Sequence, residues 1–264
     1  MTTMQRYFVA AKQIQGNHIV IDNDDAHHII RVMRMTEGSE VIVSDGESRT
    51  VIARIEQVEG KSVTLSIVEE LPQRAEASWR VTIAQGLPKG DKMELIMQKC
   101  TEIGAAGFIP FSSERVIVQY DHKKEAKRLE RWSKIVKEAA EQSHRDRIPM
   151  LQEPKSWKEL LKLIPTYDLA LFCYERAGDE GHGIGLKDAL QKFKQAGNVN
   201  TDNSNPSILL IAGPEGGFAE REAMEAEEAG ALLIGLGSRI LRAETAGMVG
   251  LSCILYESGE MGGV

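Results

Sequence analysis

Apolar positions in the first seventy residues fall in short runs or alternate with polar ones, and β-branched residues are prominent at 18–22, 40–44, 50–55 and 62–68. That is the spacing of half-buried strands. Asp45-Gly46 and Glu59-Gly60 sit between the runs and read as turns. Short strands this close together predict a small β-barrel. One helix over 24–35, capped by Asp24 or Asp25, interrupts it. The rhythm changes after Leu71-Pro72-Gln73. An apolar run at 81–85 is followed by helical spacing over 91–103 (Met93, Ile96, Met97, Cys100) that stops at Gly104. A strand at 108–110 and a long amphipathic helix over 125–142 come next. Further strands are expected at 169–173, 208–212 and 232–236, with helices at 219–230 and 243–257. Strands alternating with helices imply a parallel α/β sheet. The chain therefore divides into 1–72 and 73–264, with the polar stretch 195–207 as a solvent loop.

Composition narrows the function classes. Of 264 residues, 42% are hydrophobic, enough for a sizeable core. No apolar run approaches the roughly 20 residues that span a bilayer, and the N-terminus lacks a signal-peptide stretch. Cys100, Cys173 and Cys253 are scattered and form no CxxC pair, so a reducing, cytoplasmic setting is expected. The net charge of −7 argues against a simple nucleic-acid binder. It is uneven, however: seven basic residues face eleven acidic in 1–72, fifteen face eleven in 73–150, and ten face seventeen in 151–264. The middle of the chain is the place to look for phosphate contacts, although a basic excess is also what a solvated helix face shows.

Candidate chemistry lies at strand ends, where open parallel sheets bind ligands. The strand at 208–212 runs into Gly213-Pro214-Glu215-Gly216-Gly217-Phe218, and the strand at 232–236 into Gly237-Ser238-Arg239-Ile240-Leu241-Arg242 and then Ala243-Glu244-Thr245-Ala246. Either could be a tight turn; two such segments after successive strands favour a ligand site, because glycine lets backbone N–H groups approach closely. The segment 181–185 lacks the GxGxxG spacing of a dinucleotide site and reads as a loop. There is no P-loop, no GxSxG elbow and no His/Cys cluster for a metal. His27 and His28 read as structural.

These segments, IAGPEGGF at 211–218 and LGSRILRAETA at 236–246, resemble the two C-terminal signatures of the 16S ribosomal RNA uridine-N3 methyltransferases, a family of the SPOUT class of knotted methyltransferases. The resemblance continues through RYFV at 6–9, HHIIRVMR at 27–34, LPKGDK at 87–92, QKCTEIG at 98–104, ERW at 130–132 and EAAEQSHR at 138–145. Met33 and His144 depart from it, standing where leucine and a small residue are common. The resemblance implies a PUA-like β-barrel over 1–72, for RNA recognition, and a SPOUT α/β domain with a deep trefoil knot over 73–264. It implies S-adenosylmethionine held by Leu171, Phe172, Tyr174, Ile211, Gly213, Pro214, Glu215, Gly216, Gly217, Leu236, Gly237, Ile240 and Leu241. It makes Arg145 substrate-facing, with Arg242 and Glu244 as further catalytic candidates, and no metal. RNA contacts are expected from Arg6, Arg31, Arg34, Lys89 and Lys92. The implied partners are 16S ribosomal RNA in the assembled small subunit and a second copy of the chain, with no membrane. The rivals are a SPOUT enzyme acting on tRNA or a ribose hydroxyl, a non-catalytic RNA binder with damaged cofactor loops, and a nucleotide-dependent oxidoreductase. Intact glycines at 213, 216, 217 and 237 count against the second, and the missing fingerprint against the third.

Overall fold

The computed structural model describes residues 4–22, 24–115, 122–175, 183–196 and 205–261. Parts of two expected loops, residues 181–182 and 197–204, lie outside the described residues. The chain divides into two compact units: one holds residues up to Glu76 and then Lys137–Ile148, the other Ala77–Val136 and the chain from Pro149 onward.

In the first unit, β1 (Arg6–Phe8), β2 (Ile14–Gln15), β3 (His18–Ile21), β4 (Glu40–Ser44), β5 (Thr50–Glu59) and β6 (Ser62–Leu71) form one sheet in the order β1-β4-β5-β6-β3-β2. Only the β1–β4 pair is parallel. Alternate residues, among them Ile19, Ile21, Val41, Val43, Val51, Val63 and Leu65, are fully buried around a single core. Register shifts within β5, after Ile52 and after Ile55, help the sheet curl around that core. The helix expected over 24–35 is shorter and partly of another kind. A single α turn, α1 (Asp24–His27), passes into a π-helical segment, His28–Val32, closed by the Met33 N–H on the His28 carbonyl at 2.9 Å. The segment buries Ala26 and Ile29, leaves Arg31, Val32, Met33 and Arg34 exposed, and ends with Arg34 at φ +52°. His28 is structural, as expected: its Nδ1 lies 2.9 Å from the Tyr7 hydroxyl. Burial first, then the charges of Glu141 and Asp25, push that phenol's pKa above its ordinary value.

The last turns of α3 (His122–Gln142) belong to this unit, and polar groups rather than apolar area fasten them. Lys137 Nζ donates to both Asp25 oxygens at 2.7 Å and lies 3.5 Å from Glu141, whose carboxylate accepts the Phe8 N–H at 3.0 Å. The helix ends in a Schellman-like turn, with the Arg145 N–H on the Ala140 carbonyl at 2.9 Å and His144 at φ +57°. A left-handed non-glycine residue carries about 1–2 kcal/mol of steric cost. His144→Gly should therefore raise stability by about 1 kcal/mol in urea denaturation, the gain reduced by glycine's extra chain entropy. A loss instead would mean that imidazole contacts outweigh the backbone strain.

The second unit is a parallel sheet with helices on both faces. Its strands are β7 (Arg80–Gly86), β8 (Gly107–Ser112), β9 (Met150–Leu151), β10 (Lys155–Ser156), β11 (Leu169–Cys173), β12 (Ile184–Gly185), β13 (Ser207–Ala212) and β14 (Leu232–Gly235). The order is β10-β8-β7-β13-β11-β14-β12, with β9 also paired to β8. Because β7 and β8 carry near-continuous apolar runs, each face finds a core. One core takes α2 (Lys92–Ile103), α5 (Leu186–Gln195) and α7 (Ala243–Ser258) through residues such as Ile96, Leu190 and Leu251. The other takes α4 (Trp157–Leu163) and α6 (Glu220–Glu228) through Leu160, Ala223 and Ala226. α7 comes close to the sheet: a Cβ at Gly250 would meet Leu210 at 2.7 Å. This ordering sets the C-terminal ends of β11, β13 and β14 side by side.

Candidate functional site

A cleft of about 1160 Å³ opens at those three strand ends. Its walls are the loops predicted from the glycine-rich segments, 213–218 after β13 and 236–242 after β14, together with the chain just past β11. Of the residues expected to hold a cofactor, Tyr174, Gly213, Pro214, Glu215, Gly216, Gly217, Leu236, Gly237, Ile240 and Leu241 line the cleft. Leu171, Phe172 and Ile211 do not. Each is fully buried one or more residues before its strand end, where its side chain packs into the sheet's cores. Cys173 at the end of β11 and Ile234 and Gly235 at the end of β14 line the cleft beside the expected residues. Arg115, Glu175 and Glu220 also line it without having been foreseen.

The shape of the 213–218 loop follows from its neighbours. Gln85 Nε2, fully buried at the end of β7, donates to the Gly213 carbonyl at 3.0 Å. The Phe218 ring folds back under the loop, 4.2 Å from the Phe172 ring centroid. Glu222, fully buried in α6, accepts the Ala219 N–H at 2.9 Å and the Glu114 N–H at 2.8 Å, fastening the loop's far end to the chain after β8. Gly86 approaches Pro214 so closely that a Cβ there would lie 2.6 Å from the proline ring.

Glu215 works as a clamp. Its carboxylate accepts the Lys89 N–H at 3.1 Å and Lys92 Nζ at 2.8 Å. Lys92 lies 3.5 Å from Glu244 at the start of α7, so one ammonium ties both glycine-rich segments together. Burial works against the Glu215 charge, but the hydrogen bonds from Lys92 and from backbone N–H groups outweigh it and hold its pKa below the usual 4.5. The charge pair therefore contributes fully above that value and is lost only as pH falls through the lower folded-state value. Removing the charge with Glu215→Gln should weaken ligand binding in the cleft roughly tenfold, the scale of one charge-assisted hydrogen bond, as read by calorimetric titration. Binding by the unaltered chain should be flat from pH 7 to 5. Unchanged affinity in the variant would remove the clamp's role.

The other expected residues separate. Arg242 is exposed on the cleft rim. Lys89 is exposed, whereas Lys92, expected on RNA, spends its charge on Glu215 and Glu244. Arg6 and Arg145 are not surface groups at all. They are 8% and 4% exposed and belong to a buried polar lattice in the first unit. Arg6 Nη1 donates to the Arg145 carbonyl at 2.6 Å and to Asp146 at 2.9 Å, and Arg145 is paired with Glu76 through Nε and Nη2. A substrate-facing Arg145 and an RNA-contacting Arg6 are thus corrected for this conformation, because their donors are turned to protein acceptors. Among the described residues no cluster is suited to a metal ion, and no helix is long and apolar enough to cross a membrane.

Comparison with known proteins gives the same picture. A family model for an RNA methyltransferase domain matches residues 75–255, and one for an RNA methyltransferase PUA domain matches 21–68. The chain is 37% identical to ribosomal RNA small subunit methyltransferase E of Bacillus subtilis, over 97% of each chain. It is similar to the solved structure of a ribosomal RNA small subunit methyltransferase E from Neisseria gonorrhoeae bound to S-adenosyl methionine, with 28% identity, a TM-score of 0.79 and coverage of 96% of this chain and 97% of that one. A Legionella pneumophila methyltransferase structure with bound cofactor SAM matches at 28% identity and a TM-score of 0.81, over 97% of this chain and 98% of that one.

Proposed function

The chain belongs to the RNA methyltransferase family, and on that premise we propose that it methylates N3 of a uridine in 16S ribosomal RNA of the small subunit, with S-adenosylmethionine as donor. The observation that carries this reading is the cleft. Its walls are backbone-rich glycine loops with apolar Ile234, Leu236 and Leu241 between them, a donor set suited to an adenine ring, a ribose and an amino-acid tail. When bound, S-adenosylmethionine supplies an electrophilic methyl group. The protein's own task is to hold the uracil edge in line and to remove the N3 proton. Glu215 is taken up by Lys89 and Lys92. Of the two carboxylates in the glycine-rich segments that leaves Glu244, which is not itself a lining residue but follows Ala243, which is, as the proton acceptor. The nearest cation to Glu244, Lys92, is 3.5 Å away and keeps the carboxylate in place. Arg242 on the rim balances the negative charge that develops on the uracil oxygens.

The first unit supplies recognition. Arg31 and Arg34 flank exposed Val32 and Met33 on the π-helical turn, an arrangement suited to a phosphate contact beside an unstacked base. Lys89 adds a point charge in the second unit. So acidic a chain needs a structured target, and the assembled small subunit in the cytoplasm provides one. A homodimer fits the exposed Ile240 and Tyr256 of the second unit, at 80% and 68% exposure. The test is transfer of labelled methyl from S-adenosylmethionine to unmodified small subunits, naked ribosomal RNA and tRNA in parallel. Incorporation is expected into subunits first. Incorporation into tRNA alone would move the chain to another substrate class, and failure to bind the cofactor would end the methyltransferase reading.

A further inference from the structure

Several arginines outside the core of this acidic protein are neutralised: Arg49 by Glu70, Arg54 by Glu40, Arg131 by Glu94 and Arg221 by Glu114. Arg115 is different. It is exposed, it lines the cleft, and it has no carboxylate partner among the described residues. Its position is nevertheless fixed. Nη1 donates to the Gly216 carbonyl at 3.1 Å, and its Cβ packs so near Gly216 that a side chain there would meet it at 3.2 Å. The preceding residue is held by its N–H on buried Glu222 at 2.8 Å. A guanidinium offers five N–H donors, and here one is spent on the cofactor-side loop. The remaining donors are those a phosphate fork requires. Glu175 and Glu220 also line the cleft, and Arg239 and Arg242 set two further cations against them.

We propose that Arg115 is a substrate-positioning residue that binds a phosphate of the RNA strand carrying the target base while Nη1 keeps hold of Gly216. The strand is thereby registered against the loop that shapes the cofactor cleft. This rests on the methyltransferase reading above and adds to it a contact outside the two glycine-rich segments.

The experiment compares the full-length chain with Arg115→Gln and Arg115→Lys in three measurements. These are S-adenosylhomocysteine affinity, affinity for naked small-subunit ribosomal RNA as a function of salt, and kcat/KM for methyl transfer. Arg115→Gln should lose only a few-fold in S-adenosylhomocysteine affinity, through the freed Gly216 carbonyl, while one lost phosphate contact lowers the log–log salt slope by about 0.7–0.9. Misplacing the strand should lower kcat/KM by roughly 10–100-fold. Arg115→Lys should restore the salt slope but not the rate, because a point charge cannot hold Gly216 and a phosphate together. An unchanged salt slope in Arg115→Gln overturns the proposal. So does a fall in S-adenosylhomocysteine affinity that accounts for the whole loss of rate, which would make Arg115 a loop support only. Absence of transfer by the parent chain would instead count against the methyltransferase reading, and the salt slope would still decide the phosphate contact.

Discussion

Asp146→Ala should destabilise the first unit by about 3–5 kcal/mol, the cost of leaving a buried charge without its partner. Asp146 is 2% exposed. One carboxylate oxygen accepts Arg6 at 2.9 Å, and the other accepts the N–H groups of Arg74 and Ala75, each at 2.8 Å. Alanine strands Arg6, itself 8% exposed and already without a partner at Nε, and opens two backbone donors that join the 74–76 segment to the 145–147 turn. At roughly 2–4 °C per kcal/mol for a chain of this length, the melting temperature should fall by about 10 °C. Asp146→Asn keeps acceptor geometry and should lose less. If thermal melting shows a change under about 1 kcal/mol for alanine, the lattice behaves as an exposed ion pair and its burial is not what fastens the turn.

The second large effect is on the cleft. Gly86→Ala sets a Cβ 2.6 Å from Pro214 Cδ, 2.8 Å from Pro214 N and 3.2 Å from the Gly213 carbonyl carbon. These are ring and backbone atoms, which cannot rotate aside. Either β7 or the 213–218 loop must move, at about 1–3 kcal/mol. The loop is the weaker element, since its ties to β7, to the turn after it and to α2 are a few hydrogen bonds from Gln85, Lys89 and Lys92. Affinity for S-adenosylmethionine should fall by about 5–150-fold, the equivalent of that 1–3 kcal/mol. Calorimetric titration reads this directly. Parental affinity in a folded variant would mean that the loop's position does not govern binding.

Much of the fold is legible in the chain, where one local signal is strong enough. The limits of β4 and β11 follow from runs of buried aliphatic residues with polar ends. α2 follows from Met93, Ile96, Met97 and Cys100 on one stripe and from Gly104 after it. The helices α4 and α5 carry equally good local signals. Ser156 and Glu159 form a capping box, with the Ser156 N–H on Glu159 at 2.8 Å, and so announce α4. Leu186, Ala189, Leu190 and Phe193 give α5 its buried stripe. The π turn at His28–Val32 was not readable, since a change from i+4 to i+5 bonding leaves no period of its own in so short a segment. β1 is three residues long and is defined by its pairing with β4, a tertiary fact.

The glycine-rich walls of the cleft were legible because glycine marks close backbone approach wherever it clusters. The residues around them were less so. Nothing local tells that Arg145 turns to Glu76, 69 positions away, or that Lys92 reaches Glu215 across 123 positions. Arg115 stands in an ordinary strand-end sequence, and only its place beside Gly216 distinguishes it.

The central claim is tested most directly by the identity of the product nucleoside. Small subunits lacking the modification would be incubated with the chain and labelled S-adenosylmethionine, and their 16S RNA digested and analysed by mass spectrometry. The account predicts N3-methyluridine at a single site, with the label absent when Glu244→Ala replaces the parent. A methylated ribose or a different base would contradict it, and so would full incorporation by the Glu244→Ala chain for the proton-acceptor role.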